Sequence, residues 1–275
     1  MSTGRKGLVR ASRVPGAVAL VMLTALFGQW AGAAPAATPP KEKARVLLVT
    51  GVDYAGHLWR ETAPALAEAL RKDPRLEVIT VEDPSLLDSA AVNRYDLILL
   101  HFQNWQQPGP GEQARENLRR FVEGGKGVAL AHFACGAWHG EWPEFVKIAG
   151  RVWAGPGPGV RQHDPLGAFR VELTKPDHPI LRGLSDFETQ DELYTCLAGE
   201  HPIEVLAQSK SKVDGEYYPI AFVSHCGKGR TFHCTLGHDA RALSVPGVQE
   251  LFRRGCAWAA GLPPVAPRAS AAATK

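Results

Sequence analysis

The segment ALAHFACGAWHGEW, residues 129–142, ends an apolar run on two histidines, a cysteine and two tryptophans. An imidazole, with an ordinary pKa of about 6.5, can act as general acid, general base or metal ligand. Three more histidines stand at comparable places: His57 in GVDYAGH, His101 after YDLILL, and His238 in TLGHDAR. One histidine at a strand end is commonly a hydrogen-bonded structural group. Several on one edge call for metal binding or proton transfer. The carboxylate that would complete a divalent-ion set, such as one for zinc, is Glu192 in DELY, with Asp191 beside it. The candidate ligands His57, His132, Glu192 and His238 are dispersed along the chain, unlike a compact H-E-x-x-H helix, so spacing alone identifies no metal. Without a metal, His132 and Glu192 are candidates for acid/base catalysis.

Other reactive residues carry alternatives. His178 and His201, each in an HPI sequence, read as turn residues; His225 and His233 fall in a hairpin; His139 and His163 occupy glycine-rich loops and stay unassigned. Cys135 follows a strand at a sharp turn, as a nucleophile would, with His132 or His139 as activating base. The flanking sequence His132-Phe133-Ala134-Cys135-Gly136 lacks the leading glycine of a G-x-C-x-G elbow. Trp59, Trp105, Trp138, Trp142 and Trp153 lie in or near the same loops, where indoles either line a small-molecule pocket or pin the loop to the core. Trp59, Trp138 and Tyr194 are the candidate substrate-binding residues.

The elements that must position these residues alternate. RVLLVT (45–50), LEVITVED (76–83), YDLILLHF (95–102) and GVALAHF (127–133) are short apolar runs suited to strands buried on both faces. Between them, ETAPALAEALRKD (61–73) and GEQARENLRRFVEGG (111–125) place apolar residues at helical spacing. The alternation predicts an α/β fold with a doubly wound, mostly parallel sheet, in which ligands bind outside the carboxyl ends of the strands. AFRVEL, FETQDELYTCL and PIEVLAQS then read as β-rich C-terminal additions. YYPIAFVSHC and RTFHCTLG form a hairpin about Gly227-Lys228-Gly229, and a last helix covers 245–261.

Residues 1–33 hold Arg5, Lys6, Arg10 and Arg13, no acid, the apolar run Val14–Phe27 and then Ala31-Gly32-Ala33. This is the pattern of a Sec-type export signal, and it predicts a periplasmic or secreted protein. The run is shorter than the roughly 20 residues of a membrane span, so no stable span is expected. Removing those four basic residues from 31 leaves 27 against 28 acidic ones, which gives no basic field for nucleic acid. Residues 34–44 read as a linker, 45–262 as one α/β domain and 263–275 as a disordered tail. Five cysteines, an odd number without a C-x-x-C pair, leave at least one thiol free in a monomer.

Taken in order, VTGVDYAGHLW, GVALAHFACGAW, HPILRGLSDFETQDELY, GKGRTFHCTLGHD and GCAWAAGLP resemble the ThuA-like, trehalose-utilisation family across about residues 45–262. The resemblance implies a fold like that of class I glutamine amidotransferases, in the flavodoxin-like group. It also implies a role in the use of trehalose or related glycosides, alongside oxidoreductases acting on keto-sugars. The family pattern carries histidine at the positions of His57, His132 and His238 and glutamate at that of Glu192. Histidine at position 132 replaces the amidotransferase cysteine, so glutamine hydrolysis is not expected. His101 and Cys135 find no counterpart in that pattern.

Two functions follow as expectations: an exported sugar-directed hydrolase or isomerase, with metal assistance as one mechanism, or a non-catalytic sugar-binding protein on the same fold. A two-carboxylate glycosidase mechanism, with groups roughly 5–9.5 Å apart, is not favoured, because Asp191 and Glu192 as strand neighbours would point to opposite faces.

Overall fold

The computed structural model describes residues 41–265, apart from 156 and 158. The expected export signal, and all but the inner ends of the expected linker and tail, lie outside the described residues.

The elements in chain order are β1 (Ala44–Val49), α1 (Trp59–Arg71), β2 (Leu76–Val81), β3 (Leu97–Leu100), α2 (Glu112–Glu123) and β4 (Gly127–Ala131). There follow α3 (Phe145–Ala149), β5 (Val152–Trp153), β6 (Gly167–Leu173), β7 (Phe187–Asp191), β8 (Leu197–Ala198) and β9 (Glu204–Lys210). β10 (Tyr217–Cys226), β11 (Gly229–Cys234), α4 (Ala240–Ser244) and α5 (Pro246–Ala259) complete the strands and α-helices of the described residues. The main sheet runs β2-β1-β3-β4-β11-β10-β9-β6-β7, and β5 pairs with β8 apart from it.

The first five strands in that order are mutually parallel, and the pairings from β11 to β7 are all antiparallel. The expected parallel sheet with β-rich additions is therefore one continuous sheet. Its halves meet at β11, which pairs with β10 in the hairpin on one side and with β4 on the other. The two-residue connection uses Gly227 at φ 58°, a left-handed conformation that glycine adopts without cost.

Alternation sorts the core into two layers. Val46, Leu48, Leu97 and Leu99 face one side with Leu66 and Leu70 of α1 and Leu251 and Phe252 of α5. Leu47, Val49, Ile98 and Leu100 face the other, under Leu118, Phe121 and Val122 of α2 and Ile148 of α3. Helices on both faces make the sheet doubly wound, as expected from strands apolar at every position. The short α3 and α4 and the β5–β8 pair are additions that periodicity did not reveal.

This topology decides where chemistry can be built. The carboxyl ends of β1, β3, β4 and β11 share one edge because these strands are parallel, and alternation brings the end of β7 to the same edge. The chain order reverses between β1 and β3, the place where α/β sheets open a crevice. Gly51 turns the chain away from β1 at φ 118°; a side chain there would collide with the Glu82 carbonyl. Among the described residues, no helix is long and apolar enough to cross a membrane.

Candidate metal centre

His132 is the first residue after β4 and opens a 3-10 turn over 132–136. Its φ of 45° is left-handed, unusual for a residue with a Cβ and a form of strain that concentrates at functional sites. The ring is held on both sides. Nδ1 lies 2.6 Å from the carbonyl oxygen of Thr235, just beyond β11. A carbonyl only accepts, so Nδ1 carries the proton and Nε2 presents a lone pair. The Tyr194 hydroxyl donates to that lone pair at 2.8 Å, and Glu192 Oε2 lies 3.5 Å from it.

His57 arrives from the loop after β1, where its N–H bonds the Tyr54 carbonyl at 3.1 Å immediately ahead of α1. Its ring stacks on Phe133 at 4.7 Å and meets His132 edge-on at 4.8 Å. His238 comes from the turn after β11. Buried Asp191 fixes that turn: its Oδ2 accepts the Gly237 N–H at 2.7 Å and its Oδ1 that of His238 at 3.2 Å. Oδ1 also accepts the Glu192 N–H at 2.8 Å. The two neighbouring acids thus divide the work, Asp191 tying backbones while Glu192 enters the histidine cluster.

Glu192 Oε2 is 3.2 Å from His238 Nδ1, and Oε1 is 3.7 Å from Nε2 of His163. His57, His132, Glu192 and His238 each place one ligand atom so that all four lie within 4.8 Å of one another. Around an ion at bond lengths of about 2.0–2.2 Å, tetrahedral ligands sit roughly 3.3–3.6 Å apart, so small side-chain adjustments close the set. Two buried nitrogens in it, His57 Nδ1 and His238 Nδ1, have no hydrogen-bond partner; the His238–Glu192 contact is close but not aligned as a hydrogen bond. Unpartnered buried nitrogens beside a carboxylate are what a divalent cation satisfies.

The electrostatics fit the same donor set. Burial, reinforced by the neighbouring His132, pushes the His57 pKa down to about 2, so this ring is a neutral donor at any ordinary pH. Burial raises the Glu192 carboxyl, but the contacts with His132 and His238 outweigh it and hold the group below the usual carboxylate range. The same carboxylate raises His238, against its burial.

All four expected ligands therefore converge. His101 stays behind them: it is buried, bonds Thr50 Oγ1 through Nδ1 at 2.9 Å, and packs its ring on Phe133. Tyr194, expected to touch substrate, is 1% exposed and gives its hydroxyl to His132. Trp138 is likewise 1% exposed, packed against Phe102, Trp142 and Phe145 with its indole N–H on the Pro110 carbonyl, so it offers no open face. Trp59 is buried too, but it borders a cavity that His57 also lines. Cys135 is 1% exposed and burial pushes its thiol well above the ordinary range, the opposite of an activated nucleophile. All five cysteines are buried free thiols.

Trp105 and Trp153, rather than Trp138, stand beside the histidine cluster. A closed circuit of rings runs Tyr54–Trp105 (5.3 Å), Trp105–Trp153 (5.2 Å), Trp153–Tyr194 (4.9 Å), Tyr194–His132 (4.6 Å), His132–His57 (4.8 Å) and His57–Tyr54 (5.6 Å). His163, unassigned from sequence, joins through a bridge with Tyr194; its glycine-rich loop carries no periodic signal that could have placed it.

Comparison with known proteins agrees with this architecture. A protein described as ThuA-like from Parabacteroides merdae superposes with a TM-score of 0.69 at 25% identity, over 79% of this chain and 90% of that one. A second, from Bacteroides uniformis, gives 0.62 at 19% identity, over 80% and 91%. A β-galactosidase from Rahnella sp. R3 shares the fold alone, with a TM-score of 0.52 at 16% identity over 80% of this chain and 32% of that one. No curated protein sequence matches the chain. The ThuA family, described as trehalose utilisation, matches residues 45–259, and the chain belongs to that family.

Proposed function

We propose that this chain is an exported enzyme acting on a glycoside or keto-sugar as a hydrolase or isomerase. In this reading His57, His132, Glu192 and His238 hold a divalent cation such as zinc. The observation that carries it is the convergence of three imidazoles and one carboxylate from four separate segments, two of the imidazoles with unpartnered buried nitrogens. The basic start, apolar run and Ala31-Gly32-Ala33 support export. Family membership supports the sugar, and an oxidoreductase that generates keto-sugars would be its natural partner.

A bound divalent ion would polarise a sugar oxygen and lower the pKa of a coordinated water. The chain's own residues do the rest. The Thr235 carbonyl fixes His132 in the tautomer whose Nε2 is basic. Tyr194 holds a hydroxyl at that nitrogen, placed to donate to a substrate oxygen when Nε2 is otherwise engaged. Glu192, kept ionised, accepts a proton or bonds a sugar hydroxyl. Asp191 takes no part in proton transfer: it is fully buried and both its oxygens are held by backbone N–H groups, so it does not pair with Glu192 as the second carboxylate of a two-carboxylate glycosidase.

The test is turnover of a panel of glycosides and keto-sugars by protein supplied with divalent ions, beside His132→Ala. Turnover that falls in the variant by on the order of 100-fold or more is expected. Sugar binding without turnover would make the chain a binding protein, and unchanged turnover in His132→Ala would remove that residue from the chemistry.

A further inference from the structure

A cavity of about 380 Å³ adjoins the histidine cluster, with His57 in its wall. Asp53, Tyr54, Leu58, Trp59 and Arg60 supply most of the remaining lining, all from the loop after β1 and the first turn of α1. Two features of this lining bear on what it would hold.

The first is a hydrogen-bonding edge. Trp59 Nε1 donates to Asp53 Oδ1 at 2.7 Å, and Arg60 Nη1 pairs with the same oxygen. Among the described residues, no protein group bonds Asp53 Oδ2 or Arg60 Nη2, so an acceptor and a donor stand side by side facing solvent. Both side chains are open to solvent, at 70% and 66% exposure. They are also held in place: the Arg60 guanidinium lies 4.3 Å over the Trp59 ring, and Trp59 itself is buried. An acceptor and a donor in fixed array match a pair of vicinal hydroxyls, each of which can donate and accept.

The second is an apolar side without net positive charge. Leu58 is 56% exposed on this wall, and the Tyr54 ring is braced edge-on by Trp105. Arg60 is neutralised by Asp53, and Glu61 adds a second acid to the lining. A phosphorylated or carboxylated ligand would meet more negative than positive charge here. A neutral ring with one apolar face and hydroxyls along its edge meets complementary groups on both sides.

We infer that this cavity is a subsite for a neutral, non-phosphorylated glycosyl ring, bound by Asp53 and Arg60 while a second part of the substrate reaches the histidine cluster. The inference rests on the sugar reading proposed above and adds the residues that would select a two-ring substrate over a single sugar.

Calorimetric titration of the full chain with trehalose, glucose and glucose 6-phosphate tests it, in wild type, Asp53→Asn and Arg60→Gln. Wild type should bind trehalose at least about tenfold tighter than glucose, a difference of the size that hydrogen bonds to charged groups produce. Each variant should weaken trehalose binding more than glucose binding and so bring that ratio towards one, with bound metal as in wild type. Glucose 6-phosphate should bind no tighter than glucose. A trehalose-to-glucose ratio unchanged in both variants would overturn the subsite, as would equal wild-type affinity for the two sugars, and either result leaves the sugar reading standing. Failure of the wild type to bind any of these sugars would overturn both.

Discussion

His132 is held in a left-handed conformation that costs a residue with a Cβ about 1–2 kcal/mol, and its surroundings keep it there. The Thr235 carbonyl fixes one ring nitrogen, and the Tyr194 hydroxyl and Glu192 approach the other. In the metal-free protein Tyr194→Phe removes one buried hydrogen bond and should lower stability by about 1 kcal/mol in chemical denaturation, while the variant's capacity to bind a divalent metal matches wild type. Loss of the metal in that variant would make Tyr194 part of the ligand set. His57, His132 and His238 were legible in the sequence because strand ends of a parallel sheet share an edge; Glu192, just after the antiparallel β7, was legible as the carboxylate that would complete the set and through the family resemblance. His163 was not, because its loop follows no repeat, and Trp105 and Trp153 were visible as loop indoles but could not be told from indoles that pin a loop to the core. Trp138 misled because an indole near a site and an indole in the core have the same local sequence. The burial of Trp138 was decided by Phe102, Trp142 and Phe145, of which the first two are loop residues and the third lies in a helix of only five residues.

At the scale of elements, the site depends on β7 reaching the edge built by the parallel strands. Asp191 makes that connection, joining the end of β7 to the turn after β11 through the N–H groups of Glu192, Gly237 and His238. Asp191→Ala would leave three N–H groups without their acceptor, two of them in the turn that carries His238. A loss of about 3–5 kcal/mol is expected, read from the urea midpoint, with weakened metal retention. A loss under about 1 kcal/mol would show that the turn keeps its shape unaided. The strands of the parallel half were legible because burial on both faces demands unbroken apolar runs, as in LILL of β3. The order of the antiparallel half was not, because β6, β7 and β9 carry mixed patterns and β6 pairs with β9 past the intervening β7 and β8.

Across the whole molecule, burial of neutral histidines ties stability to pH. Burial pushes His101 down to about 3 and His233 to about 4, against an ordinary value of 6.5. The unfolded chain therefore binds more protons than the folded one below pH 6.5, so stability is fullest above that value and falls as the pH drops towards 4. Between pH 7 and 5 the metal-free protein should lose on the order of 1–2 kcal/mol for each of these two groups, measured by chemical denaturation across that range. Equal midpoints at the two pH values would contradict the burial of neutral rings. The central claim is that four segments of this sheet edge make one metal centre. It is tested most directly by elemental analysis of protein purified without chelator or an affinity tag of histidines, beside His132→Ala. The account predicts close to one divalent ion per chain in the wild type and almost none in the variant. A wild type free of metal after growth in supplemented medium, or a variant that keeps the same metal, would contradict it.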